Sequence, residues 1–220
     1  MRLLRNAVVP LLLINILVFI IQQLFKGFTQ TFVLVSSDVL ARPWILVTSM
    51  FLHADLMHLL FNMYALLMFG SLVERRIGTR RFLVGYFAAG LFASIVSVFF
   101  YNAVLGASGA IMGILGITII LMPDLPVLFL FFIPMSLRIA GIIFAAIDIF
   151  GIFVPSGIAN IAHLAGLAIG LGYGYFLLMQ LRKSGYTKRK PASTKRARTA
   201  PKTIELSKDD VDNYFKYKRI

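Results

Sequence analysis

The chain has 220 residues, 59% of them apolar and 14% charged, with a mean hydropathy of +0.86, too little polar surface for a water-soluble domain. It has no cysteine, which excludes a disulfide framework, a thiol nucleophile and thiolate metal sites. The net charge of +13 is uneven, since residues 182–220 hold 13 Lys/Arg against 4 Asp/Glu and leave +4 for the first 181.

Val8–Phe25 predicts a first membrane-spanning helix, preceded by Arg2 and Arg5. Its apolar run is longer than that of a cleaved signal and lacks a small-residue cleavage site, so it reads as a signal anchor. Residues 26–43 are mixed and poorly periodic, a loop dipping into the interface. A second span runs from about Ser49 to Val73 and ends in "ERRIGTRR", residues 74–81; a third covers about Phe82–Tyr101. Ser108 opens a fourth helix that Pro123 closes. Residues 123–136 are apolar but interrupted by three prolines, which predicts an interfacial connection rather than a regular helix. A fifth span follows at about Leu137–Val154 and a sixth at about Ala159–Leu181.

Six spans place Arg2, Arg5, Arg75, Arg76, Arg80, Arg81, Arg138, Arg182 and Lys183 on one side and only Lys26 and Arg42 on the other. That bias predicts both termini in the cytoplasm and a multi-pass protein of the cell membrane. The expected organisation is an all-α membrane domain over residues 1–181 and a basic, disordered cytoplasmic tail over 182–220. A solvated tail that reinforces topology is the simpler reading. A contact with anionic lipid headgroups, at about 1 kcal/mol per Lys or Arg, is the sharper one. No nucleic-acid partner is expected.

The stretch "LGASGAIMG", residues 105–113, surrounds Ser108 with small residues. Such a hydroxyl either lets helices touch or is a nucleophile. Ser108–Met122 would be only about 22 Å long at 1.5 Å per residue, against a hydrocarbon core of about 30 Å. The helix therefore starts below the outer surface, and the irregular backbone before it must line protein or water. Free N–H groups at its N-terminus suit a developing negative charge.

All three histidines, His53, His58 and His163, lie in the membrane body, at the level predicted for Ser108. Ionisable groups at such depth are costly and usually functional. His58 and Asn62, at i and i+4 in "HLLFN", share a helix face. They are either interhelical hydrogen-bonding glue or side-chain donors of an oxyanion hole. Gly166, Gly170 and Gly174 lie on the stripe headed by His163, and Gly109, Gly113 and Gly116 make a small face below Ser108. Packed together, the two stripes would bring Ser108 within reach of His163. No acid stands out as a third member; Asp148, in the fifth span, reads as a satisfied structural group, so a Ser–His dyad is the economical expectation.

These residues carry a family resemblance. "HADLMHLLFNM" (53–63), "ERRIG" (74–78), "GASGAIMG" (106–113) and "AHLAGLAIG" (162–170), in this order and on these spans, resemble the rhomboid intramembrane serine proteases in their six-helix form, over about residues 8–181. The resemblance implies a six-transmembrane-helix bundle with Ser108 as nucleophile, His163 as general base, and His58, Asn62 and the Ser108 N–H as the oxyanion hole. It gives His53 a supporting role, makes Gly106 the small residue that shapes the approach to the site, and makes Glu74 a structural acid. It implies transmembrane protein substrates cut near the outer face, entering laterally by the fifth helix, and no metal or other cofactor. Two positions depart from the family pattern. Trp44-Ile45 stands where Trp-Arg is common, so the role of that arginine is either absent or taken by another residue such as Arg42. Met112 stands where an aromatic ring packs on the catalytic imidazole, and its thioether can contact the ring edge instead. The alternative is an inactive rhomboid-like factor that binds membrane proteins for quality control. A transporter would need inverted repeats or a charged path, and neither is visible.

Overall fold

In the computed structural model, residues 6–129, 132–154 and 157–183 are described, and among them six helices of 14 to 24 residues dominate. These are α1 (Val8–Leu24), α2 (Leu56–Ile77), α3 (Thr79–Ser97), α4 (Ser108–Leu121), α5 (Leu137–Gly151) and α6 (Asn160–Lys183). Each predicted apolar segment thus forms a helix. By length and composition α2, α3 and α6 are long and apolar enough to cross a membrane, while α1 and α4 are shorter apolar helices. Large side chains such as Leu13, Leu17, Ile142 and Phe150 face outward, each more than half exposed, an apolar exterior that suits lipid rather than water. The expected tail lies outside the described residues from 184 onward.

The second helix begins later than the sequence predicts, at Leu56 instead of Ser49. Ser49–Phe51 form a single tight turn, and Asp55, in extended geometry, caps α2 by accepting the His58 N–H at 2.8 Å. A carboxylate is worth more as a cap than inside an apolar helix, so the start moves to it and His53 falls ahead of the helix. Residues Leu66–Gly70 widen to a π-type turn within α2. The proline-interrupted segment is a hairpin, in which β3 (Pro126–Phe129) pairs antiparallel with β4 (Ile133–Ser136).

Helix α4 is the centre of the fold. Ten of its residues, from Gly109 to Leu121, are buried, because α3 and α6 pack on both sides of it. The α4–α6 contact is backbone against backbone: a Cβ on Gly166 would lie 2.0 Å from the Gly109 carbonyl oxygen, and one on Gly170 the same distance from that of Gly113. On the α3 side a Cβ at Gly113 would meet that of Ala89 at 2.1 Å. Small residues are what lets apolar helices approach this closely.

Long-range polar ties hold the ends of the helices. The buried Glu74 carboxylate of α2 accepts the Ala7 N–H at 2.6 Å and the Val8 N–H at 3.2 Å. It caps α1 from another helix, where the dipole favours negative charge. At the opposite end, β1 (Leu34–Val35) pairs with β2 (Ala103–Val104), tying the loop after α1 to the segment that leads into α4. Arg42 bolts that loop: its Nη1 donates to the Gln30 and Thr31 carbonyls at 3.1 and 3.2 Å, and its Nη2 pairs with Asp38. The Ser37 hydroxyl and the Arg42 guanidinium hold the Asp38 carboxyl below its ordinary range. Ile45, three residues after Arg42, is buried in the core.

Candidate active site

Ser108 is the first residue of α4, and the turn before it is set by Gly106. Gly106 has φ +125°, and a Cβ there would lie 2.8 Å from His58 Cε1 and 2.9 Å from its Nε2. Only glycine takes that backbone conformation without strain and leaves room for the imidazole. The next link is packing. With Gly109 and Gly166 in backbone contact, the residue before Gly109 and the residue three before Gly166 come face to face. Ser108 Oγ lies 2.8 Å from His163 Nε2.

His58 and Asn62 line the same cavity as Ser108 and His163, a space of about 1000 Å³ also bordered by Phe61, Tyr101 and Ile152. The His58 Nδ1 accepts the Ala54 N–H at 3.4 Å, which leaves Nε2–H as the donor of the neutral ring. That nitrogen borders Gly106. Asn62 is buried and uses one amide hydrogen on the His58 carbonyl at 3.0 Å; the second is free to donate elsewhere. Donor groups of His58 and Asn62 thus border the cavity that Ser108 and His163 also line. Hydrogen-bond donors on such a cavity suit an oxygen that gains negative charge.

The remaining predicted positions do not line this cavity. His53 is buried behind it, its ring edge-on to His58 at 5.1 Å and 69°. Its main chain is clamped by Gln22, whose Oε1 accepts the His53 N–H at 3.0 Å and whose Nε2 donates to the His53 carbonyl at 3.2 Å. Met112 is partly buried and packs on the hydrophobic core. Gly106 acts through its backbone conformation and the space it leaves for His58.

Three residues with a bearing on the site were not singled out for it by sequence. Asp148, assigned a structural place, puts its Oδ1 2.9 Å from His163 Nδ1. Gln22 fixes His53. Tyr101 accepts the Ile161 N–H at 2.9 Å through its hydroxyl, fixing the first turn of α6. No spacing links Asp148 to His163, since they stand on different helices. The available signal was the cost of an acid in an apolar helix, which calls for a partner.

The sequence matches the family described as the rhomboid domain over residues 40–180. Over 71% of its length it is 37% identical to a Bacillus subtilis protein named rhomboid protease GluP, covering 32% of that protein. It is 30% identical to RHOMBOID-like protein 6, mitochondrial, of Arabidopsis thaliana, over 72% of this chain and 51% of the relative. It is also 30% identical to Rhomboid protein 1, mitochondrial, of Saccharomyces cerevisiae, over 81% of this chain and 55% of the relative. The chain thus spans about half the length, or less, of these relatives.

Proposed function

The chain belongs to the rhomboid family of helical membrane proteins, and on that basis we propose that it is an intramembrane serine endopeptidase that cuts transmembrane proteins near the outer membrane face. The observation that carries the proposal is the 2.8 Å contact of Ser108 Oγ with His163 Nε2 on a cavity of about 1000 Å³. A serine with a base in hydrogen-bond contact is the arrangement that activates a hydroxyl.

In this reading His163 Nε2 takes the Ser108 proton as Oγ attacks a peptide carbonyl. The oxyanion accepts hydrogen bonds from Asn62, His58 Nε2–H and the Ser108 N–H. His163 returns the proton to the leaving amine, and water from the cavity hydrolyses the acyl-enzyme. The substrate helix must unwind locally, because a helical carbonyl is already hydrogen-bonded and shielded. The six helices are all membrane-spanning, with the Ser108 end of α4 toward the outer face and both termini cytoplasmic. Residues 1–181 form the membrane domain.

The test is fluorophosphonate labelling of the detergent-purified chain. Wild type should take the probe, and Ser108→Ala and His163→Ala should not. Labelling that survives Ser108→Ala would place the reactive serine elsewhere. A folded wild type that takes no label would make the chain a membrane-protein binding factor without protease activity.

A further inference from the structure

We infer that Asp148 of α5 is a positioning residue for the reaction: its carboxylate accepts the His163 Nδ1–H and thereby keeps Nε2 free to take the Ser108 proton. The inference rests on the proposed serine chemistry and adds a third member that the Ser–His reading lacks.

With Asp148 ionised, the contact fixes the proton positions. An ionised carboxylate can only accept, so the 2.9 Å contact between Asp148 Oδ1 and His163 Nδ1 requires the hydrogen to sit on Nδ1. A neutral imidazole with Nδ1–H has a bare Nε2, and that nitrogen is the one 2.8 Å from Ser108 Oγ. The hydroxyl is therefore the donor. The opposite tautomer would direct Nε2–H at Oγ and leave no acceptor for the serine proton. When the proton moves, Ser108 Oγ–H breaks and Nε2–H forms. The imidazolium then carries both hydrogens, with Nδ1–H still donating to Asp148. The proton afterwards leaves Nε2 for the amine, and Asp148 takes up none of it.

Burial makes the contact selective. Asp148 is 6% exposed, and its side chain and that of His163 are 9% and 18% exposed. With water largely excluded, the carboxylate is held to the imidazole, and a displaced ring would strand it in apolar surroundings. The two groups also stand on different helices, α5 and α6, so the seat of α5 sets the orientation of the imidazole.

Two measurements test this. First, 15N spectra of the histidine-labelled wild type contain only three histidines, and His163→Ala assigns the signal of interest. Protonated Nδ1 and unprotonated Nε2 are expected at neutral pH, and the reverse tautomer would overturn the inference without any Asp148 variant. Second, Asp148→Asn and Asp148→Ala, checked for thermal unfolding, should lower the maximal fluorophosphonate labelling rate by about 10²–10⁴-fold with half-saturation little changed. A folded variant that labels at the wild-type rate would overturn it. So would a loss confined to half-saturation, which marks a binding role. Failure of the serine reading looks different: wild type itself would then take no label, or Ser108→Ala would keep it.

Discussion

Replacing Gly166 with alanine should separate Ser108 from His163 without altering either. The new Cβ would lie 2.0 Å from the Gly109 carbonyl oxygen, whereas a carbon and a carbonyl oxygen approach to about 3.3 Å. The obstacle is backbone on both sides, so no rotamer relieves it and α4 and α6 must part by roughly 1.3 Å along that contact. Gly109 adjoins Ser108, and His163 lies one turn before Gly166. Most of the displacement is therefore passed to the 2.8 Å hydrogen bond, opening it to about 4 Å, beyond bonding distance. A misplacement of this size costs on the order of 10²-fold in rate, or about 2.7 kcal/mol of barrier, and overpacking costs about 1–3 kcal/mol of stability. The assay is the fluorophosphonate labelling rate in detergent with thermal unfolding in parallel. Gly172→Ala is the control, since a Cβ there meets nothing within 4 Å. Gly172→Ala should label like wild type. If Gly166→Ala also labels within about threefold of wild type, the glycine contact does not set the Ser108–His163 distance.

Three other expectations follow from single contacts. Glu74→Gln keeps the shape of the α1 cap but removes its charge and one acceptor, so thermal stability should fall by about 1–3 kcal/mol while labelling per folded molecule is unchanged; an unaltered melting temperature would show that the cap contributes nothing. Asn62→Ala should lower kcat for a cleaved transmembrane substrate by about 10²–10³ with KM nearly constant, and a change in KM alone would move Asn62 from the oxyanion to substrate binding. Asp38 has its pKa held below the ordinary 3.8, so the Arg42 pin is complete above that value and is lost as pH falls through the lower folded pKa. The fluorescence of the single tryptophan, Trp44, should report that loss only below pH 3.8. Asp38→Asn should abolish the transition, and one centred above that pH would contradict the pin.

Features that depend on neighbours along the chain are legible in the amino-acid sequence alone. An apolar run long enough to be a helix announces itself through its own composition, and each of the six runs became one. Charge and proline placement did the same for the ends, although the start of α2 shows the limit. The apolar run begins at Ser49, but the helix waits for Asp55 because a terminal hydrogen bond outweighs a few more apolar residues. The paired stripes of Gly109, Gly113, Gly166 and Gly170 were readable as faces that let helices touch. The i, i+4 placement of His58 and Asn62 on one helix face follows from helix periodicity alone.

Contacts that a side chain makes with another part of the chain were decided only by the tertiary structure. Glu74 reaches Ala7 across 67 residues, Gln22 reaches His53 across 31, and Asp148 reaches His163 across 15 on a separate helix. None of these separations is a helical or strand period, so no local pattern records them. They form because a buried carboxylate or a part-buried amide is costly until it finds a partner, and the partner within reach is chosen by how the helices pack. Local sequence determined which segments become helices and which of their faces are small or polar. Packing of the helices determined that His163 touches both Ser108 and Asp148, because close helix contact and the burial of polar groups are satisfied together only in three dimensions.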